Sequence, residues 1–343
     1  MIKSPSPNVD FTKISFAPVK TNGIYVSYCR DGVWDEGTLI PEDTITIHAL
    51  STGINYGQQA FEGMKCYRRR DGGIQFFRPR ENAERFQRSC RRLMMPELPV
   101  ERYLDAISQA ARYNSEFVPP HDTKATLYIR PFMIGVGLNL VLAPSKDYLF
   151  GVVTMPVGLF FKSGLTPVDF VTTEYDRAAA NGTGSVKVGG NYAASMMPNA
   201  LAKAGGFADC LYLDPQTHTK IDEGGAANFF AITHDGTFVT PKSPSILPSV
   251  TKLSLLYLAK ERLHMKVEER EVFVDNLDEF AEAATCGTAA IITPIGAITH
   301  HGIRHAFPYE KEVGPWCQKL YDLLIGIQFG DVNAPDGWMM DVK

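Results

Sequence analysis

The chain has 343 residues, too many for one ordinary hydrophobic core, and this length predicts two domains. A composition 45% hydrophobic and 21% charged is that of a globular protein, and a formal net charge of −4 provides no basic surface for nucleic acid or an anionic membrane. The uncharged run at residues 148–161 is interrupted by Pro156 and is too short to span a bilayer.

The first twenty residues, polar and Pro-rich, read as an arm laid over the surface, with no apolar segment of the kind a signal peptide needs. Residues 23–31 alternate as a strand and end in the turn Asp31-Gly32. A strand over 61–67 and a return strand over 74–77 are joined by the hairpin signal Asp71-Gly72-Gly73. Residues 80–93 have helical spacing, with Ala83, Phe86 and Cys90 inward and Arg85, Arg88 and Arg92 on a basic face. A second helix is expected over 100–116, with Leu104, Ile107 and Ala111 inward. Strands over 125–134 and 148–155 follow, joined by the apolar loop GVGLNLVLAP, which is either local core or a lid over a pocket.

The segment 160–173, with Gly164 and Pro167, is the expected linker. Beyond it lie a helix over 193–204 stopped by Gly205-Gly206, strands over ADCLYLD and 228–233, and a helix capped by Ser249 with Val250, Leu253, Leu256 and Leu263 inward. A helix over 276–284, a strand AAIITPI and a final amphipathic helix over 312–329 complete the chain. The order predicts an α+β protein with domains at 1–161 and 175–343, a linker at 162–174 and a cleft between the domains.

The most informative stretch is GTGSVKVGGNYAAS, residues 182–195. If Val186-Lys187-Val188 is extended, the valines face one way and Lys187 the other. Four bracketing glycines permit sharp turns and close approach. An ammonium in apolar company loses hydration, which lowers its pKa and frees the amine as a nucleophile. The alternative is a surface lysine on an edge strand.

VKVGGNY, followed by IDEGGAANFF, resembles the fold-type-IV pyridoxal-phosphate enzymes, and among them the branched-chain amino acid aminotransferases. NYGQQAFEGMKCY, RPRENAERFQRS, LYIRPFMIG, PVGLFFKSG, ILPSVTK and CGTAAIITPIG extend the likeness over nearly the whole chain. The resemblance implies two α/β domains with the active site in the cleft between them. It makes Lys187 the catalytic residue, forming a Schiff base with pyridoxal 5'-phosphate and moving the proton at the substrate's Cα. It gives Glu223 to the pyridine nitrogen, Tyr192 to the phenolic oxygen, and Arg85, Val250, Thr251 and Thr288 to the phosphate.

Two of these assignments have independent support from the residues. A lone carboxylate in the apolar run IDEGGAANFF calls for a cation, either the pyridinium or an arginine. ILPSVTK places free amides at a helix start, which favours an anion. For the substrate, the resemblance implies Tyr56, Phe61, Tyr128, Arg130 and the backbone of Ala289 and Ala290. Alternation in LYIRP sends Tyr128 and Arg130 to one face. The implied reaction exchanges an amino group between leucine, isoleucine or valine and 2-oxoglutarate, so the partners are small amino and 2-oxo acids. Leu140 and Leu142, in the loop 135–144, would reach the partner chain's site in a homodimer.

Ala226 and Ala227 stand where many relatives carry threonine and methionine, and Phe160 where tyrosine is common, which bears on specificity. D-amino acid transamination and aminodeoxychorismate lyase are the sister activities; a non-catalytic phosphate binder is the remaining alternative, weakened by the absence of G-x-x-x-x-G-K-[ST]. Six cysteines without C-x-x-C spacing read as reduced thiols of a cytoplasmic protein, and His300, His301 and His305 have no partner set for a metal.

Overall fold

The computed structural model describes residues 2–15, 17–158 and 165–343. They form two compact units: Met1–Leu159 with Lys187–Gly189 and Gly326–Lys343, and Phe160–Val186 with Gly190–Ile325. The division departs from the expected boundaries at both ends of the second domain. The C-terminal residues join the first unit because Met339–Asp341 pairs with Ile74–Phe77 at the edge of its sheet. Three residues around the key lysine also belong to the first unit, through the bridge Ala60–Val188.

In the first unit, nine strands form an antiparallel sheet whose long central pair is Thr126–Gly135 with Asp147–Val157. Helices Pro79–Arg92 and Val100–Tyr113 cover it, and Phe86, Tyr103 and Phe150 meet at the core with ring centroids 5.6–6.1 Å apart. Ala83, Phe86, Cys90, Leu104, Ile107 and Ala111 are all buried, as the helical spacing predicted. The expected basic face on the first helix divides: Arg85 is buried, while Arg88 and Arg92 are exposed. The expected strand over 61–67 also divides, into Gln59–Phe61 and Met64–Arg68, with Glu62-Gly63 at the break.

In the second unit, nine strands form a mixed sheet around a core that includes Phe170, Leu211, Phe229, Ala231 and Ile298. Six residues of the expected linker are one of its strands. Val168–Thr173 runs parallel to both Asp209–Leu213 and Ile291–His300. Residues 162–164 of that linker, like Phe160, lie outside the described residues.

The helix expected over 276–284 is instead a 3-10 turn, Val274–Glu279, followed by the strand Phe280–Gly287. This strand is hydrogen-bonded on both edges, to Asn228–Thr233 and Ile291–His300, and most of its residues are buried. Burial on both faces removes the alternation that marks a strand, so its alanines and Glu282 read as helix. Glu282 within it accepts from the Trp316 and Cys317 amides at the start of the final helix, Pro315–Phe329. The helix expected over 193–204 begins earlier and breaks at Ser195 into Gly189–Ala194 and Met196–Ala204.

Ser249 caps Val250–Glu261 by accepting from the Lys252 amide, as predicted. Val250 is buried as expected, together with Thr251, Lys252, Ser254, Leu255, Leu258 and Ala259, whereas Leu253 is exposed and Leu256 and Leu263 are half-buried.

Candidate active site

In the first unit, Lys187 is held by its main chain. Its N–H donates to Ser89 Oγ at 2.9 Å, and its carbonyl accepts from the Phe61 N–H at 3.1 Å. Val186 and Val188 are buried, as expected from an extended segment, although the only strand pairing there is the single bridge at Val188. The amine lies 4.8 Å from the centre of the Phe61 ring. Burial above all, and then the Arg85 guanidinium, pulls its pKa down to about 8, with Arg130 adding to the effect and Glu62 and Tyr128 opposing it.

Arg85 forks onto Glu62, Nε to Oε1 at 2.7 Å and Nη2 to Oε2 at 2.8 Å. Burial pushes the Glu62 carboxyl up, but Arg85, Lys187 and Asn82 together hold it below the ordinary carboxylate range. Tyr128 and Arg130 do share a face. Arg130 Nη2 donates to the Tyr128 hydroxyl at 3.2 Å, and its guanidinium lies 4.9 Å from the Phe61 ring centre. Phe61, Arg85, Tyr128, Arg130 and Lys187 are thus one group. Tyr56 makes none of these contacts; it is exposed, and its hydroxyl donates to the Leu140 carbonyl. Leu138, Leu140, Val141 and Leu142 of that loop are 63–86% exposed, so local core does not account for their apolar character.

In the second unit, Glu223 is buried on the strand Ile221–Gly224. Of the two cations open to it from the sequence, the chain itself supplies an arginine: Arg177 pairs with Oε1, which also accepts the Leu247 N–H at 3.2 Å. Oε2 accepts from Asn228 Nδ2 at 3.3 Å. Arg177 further donates to the carbonyls of Gly184 and Ser245, at 2.9 and 2.7 Å. It therefore ties the glycine-rich loop and the approach to the Ser249 helix to the strand of Glu223. Asp222 faces the other way, accepting from Ser245 Oγ at 2.6 Å.

Val250 and Thr251 occupy the first turn of the capped helix, where amides lack intrahelical acceptors. Thr288, Ala289 and Ala290 form the turn between two strands. Ala289 and Ala290 line a cavity of about 150 Å³ together with Ala226, Ala227, Thr285 and Asp209. Two of the three departures from the family pattern, Ala226 and Ala227, therefore line the same cavity as the residues expected at the substrate carboxylate. Tyr192 lies in the helix Gly189–Ala194, whose Asn191 gathers the glycine-rich loop by bonds to Thr183 and the Val186 carbonyl.

Sequence reasoning missed Glu62, Asn82, Ser89, Arg177 and Asn191. Glu62 was findable by the argument that found Glu223, since it too is a lone carboxylate in an apolar run. Ser89 acts through a backbone group 98 residues away, and nothing local marks it, whereas Asn191 acts on Thr183 and Val186 of its own segment.

The class IV amino-transferase family model matches residues 59–298. A branched-chain-amino-acid aminotransferase of Haemophilus influenzae is 52% identical over 341 residues, covering 98% of this chain and 99% of that protein. One from Helicobacter pylori is 48% identical, covering 98% of each chain. The solved structure of the Escherichia coli branched-chain amino acid aminotransferase, 26% identical, covers 94% of this chain and 100% of that one with a TM-score of 0.78. The chain belongs to the class IV aminotransferases, and within them to the branched-chain-amino-acid aminotransferases.

Proposed function

We propose that the protein transfers an amino group reversibly between L-leucine, L-isoleucine or L-valine and 2-oxoglutarate, giving branched-chain 2-oxo acids and L-glutamate, with pyridoxal 5'-phosphate as cofactor. The observation that carries this reading is the Lys187 amine, clamped by its own backbone and poised with a pKa of about 8 beside a buried arginine. When bound, the cofactor supplies an electrophilic aldehyde and an electron sink for the bonds at the substrate's Cα.

The chain's own groups fit that cofactor chemically. An amine near neutrality at working pH serves both as nucleophile and as the base that takes and returns the Cα proton. The amides of Val250 and Thr251, the Thr288 hydroxyl and Arg85 are the donors offered to the phosphate. Glu223, buried and already paired with Arg177, is the anion offered to the pyridine nitrogen, and Tyr192 the hydroxyl offered to the phenolic oxygen. Phe61, Tyr128 and Arg130 give one pocket two characters. Leucine meets the aromatic faces, and the γ-carboxylate of glutamate meets the guanidinium. Ala289 and Ala290 are the backbone amides offered to the α-carboxylate, and Tyr56 is a further substrate contact that the family likeness implies.

The exposed leucines of the loop 135–144 support a homodimer in which each copy covers the other's site. The six cysteines are free and buried, which supports a reducing, cytoplasmic setting. Among the described residues no helix is long and apolar enough to cross a membrane.

The test is glutamate formation from L-leucine and 2-oxoglutarate by the cofactor-loaded protein, read beside its visible spectrum. Turnover and bleaching of the cofactor band by L-leucine are expected. A band unmoved by L-leucine but bleached by D-alanine would transfer the protein to the sister activity.

A further inference from the structure

Glu62 has no part in the chemistry above, yet it is fully buried within the group around Lys187. It sits at the break between two strands, its N–H donating to the Pro131 carbonyl at 2.8 Å. Besides the Arg85 fork, its Oε2 accepts from Asn82 Nδ2 at 2.8 Å and from the Gly63 amide at 3.2 Å. A two-pronged carboxylate–guanidinium contact fixes the plane of the guanidinium as well as its place.

Asn82, Arg85 and Ser89 follow one another at i, i+3 and i+7 along a single helix face. The first two grip Glu62. The third accepts the Lys187 N–H and donates to the Arg85 carbonyl at 3.0 Å. Phe61, next to Glu62, binds the Lys187 carbonyl. One helix face thus ties Glu62 by charge and Lys187 by its backbone.

We propose that Glu62 is a positioning residue: its carboxylate aims the Arg85 guanidinium at the cofactor's phosphate and balances that cation beside the Lys187 amine. The proposal rests on the cofactor reading above. The charged and titratable groups acting on the amine are Arg85, Glu62, Tyr128 and Arg130, and Glu62 is the carboxylate that opposes the two guanidiniums. Those acting on Glu62 are Arg85 and Lys187, with the Tyr103 hydroxyl also buried nearby. Neutralising Glu62 leaves the amine facing two guanidiniums, which disfavours the ammonium. Neutralising Arg85 acts with the opposite sign. A pair that served only to hold the fold together would predict no such opposition.

The test uses the full chain freed of cofactor and titrated, from neutral to alkaline pH, with pyridoxal 5'-phosphate and with pyridoxal, which lacks the phosphate. Capture at Lys187 is read by borohydride reduction and peptide mass. Glu62→Gln is expected to weaken pyridoxal 5'-phosphate by about tenfold or more, the loss typical of a mis-set charged contact, and to leave pyridoxal nearly unchanged at pH above both capture midpoints. The pH midpoint of pyridoxal capture should move down in Glu62→Gln and up in Arg85→Gln. Glu62→Asp keeps the charge on a shorter stem. It should lose phosphate discrimination without moving the midpoint, and it serves as the comparison if the glutamine variant does not fold. Equal losses for the two aldehydes, or midpoints that move the same way in both neutral variants, overturn the proposal. A wild-type chain that captures neither aldehyde at Lys187 overturns the cofactor reading itself.

Discussion

The two charge clusters treat their central group in opposite ways. Around Lys187 the main chain is fixed while burial and the Arg85 guanidinium outweigh the Glu62 carboxylate at the amine, and its pKa falls to about 8. Around Glu223 the side chain itself is bound, by Arg177, the Leu247 amide and Asn228. A nucleophile and proton carrier needs a group whose charge is easily lost. A fixed counter-charge needs one that stays ionised, and a buried carboxylate stays ionised only when its lone pairs are taken. With Lys187 and Glu223 in the roles proposed above, the contrast teaches that the chain separates reactivity from rigidity, placing the first on a side chain and the second on the bonds around it.

The strongest way to break the contrast is Lys187→Ala. Turnover from L-leucine should fall by at least the 10²–10⁴-fold, roughly, that a lost general acid–base group costs, and borohydride should no longer trap cofactor on the chain. Next come the buried pairs. Glu62→Ala and Arg177→Met each strand a charge, and each should lower unfolding free energy in urea by about 3–5 kcal/mol. If Arg177→Met costs less than about 1 kcal/mol, the Glu223 cluster is not saturated in the way described.

A finer test uses pH. The Lys187 pKa is depressed in the folded chain, from 10.5 to about 8, so between those values the unfolded chain binds more protons. Stability of the cofactor-free protein must therefore rise with pH across that window, relative to Lys187→Met. Urea melts of both proteins at the two ends of the window measure it; no relative gain would mean the amine is not desolvated. The smallest effect is expected for Ser89→Ala, which removes the acceptor of the Lys187 N–H: about 1 kcal/mol of stability, and a shift in the pH midpoint of amine reactivity toward the ordinary lysine value as the clamp loosens.

Much of this was legible before any coordinates. Helical spacing placed Ala83, Phe86 and Cys90 inward, Ser249 announced its helix, and the valines beside Lys187 announced a lysine set apart from its neighbours. The failures share a cause. Phe280–Gly287 and Val168–Thr173 are interior strands whose identity comes from neighbours on both edges, and no local pattern encodes those neighbours. The Leu253 face failed for a related reason, because several positions on that helix are apolar and the packing chose among them.

By itself the sequence determined the family, and it singled out Lys187, Glu223 and the Ser249 helix start as candidates, because these depend on residue type and local order along one chain. Tertiary structure alone decided which charges are paired. The Glu62–Arg85 fork joins residues 23 apart, Arg177 reaches Ser245 across 68, and Ser89 reaches Lys187 across 98. Coulomb and hydrogen-bond energies depend on distance in space and on burial, and neither is a property of position in the chain.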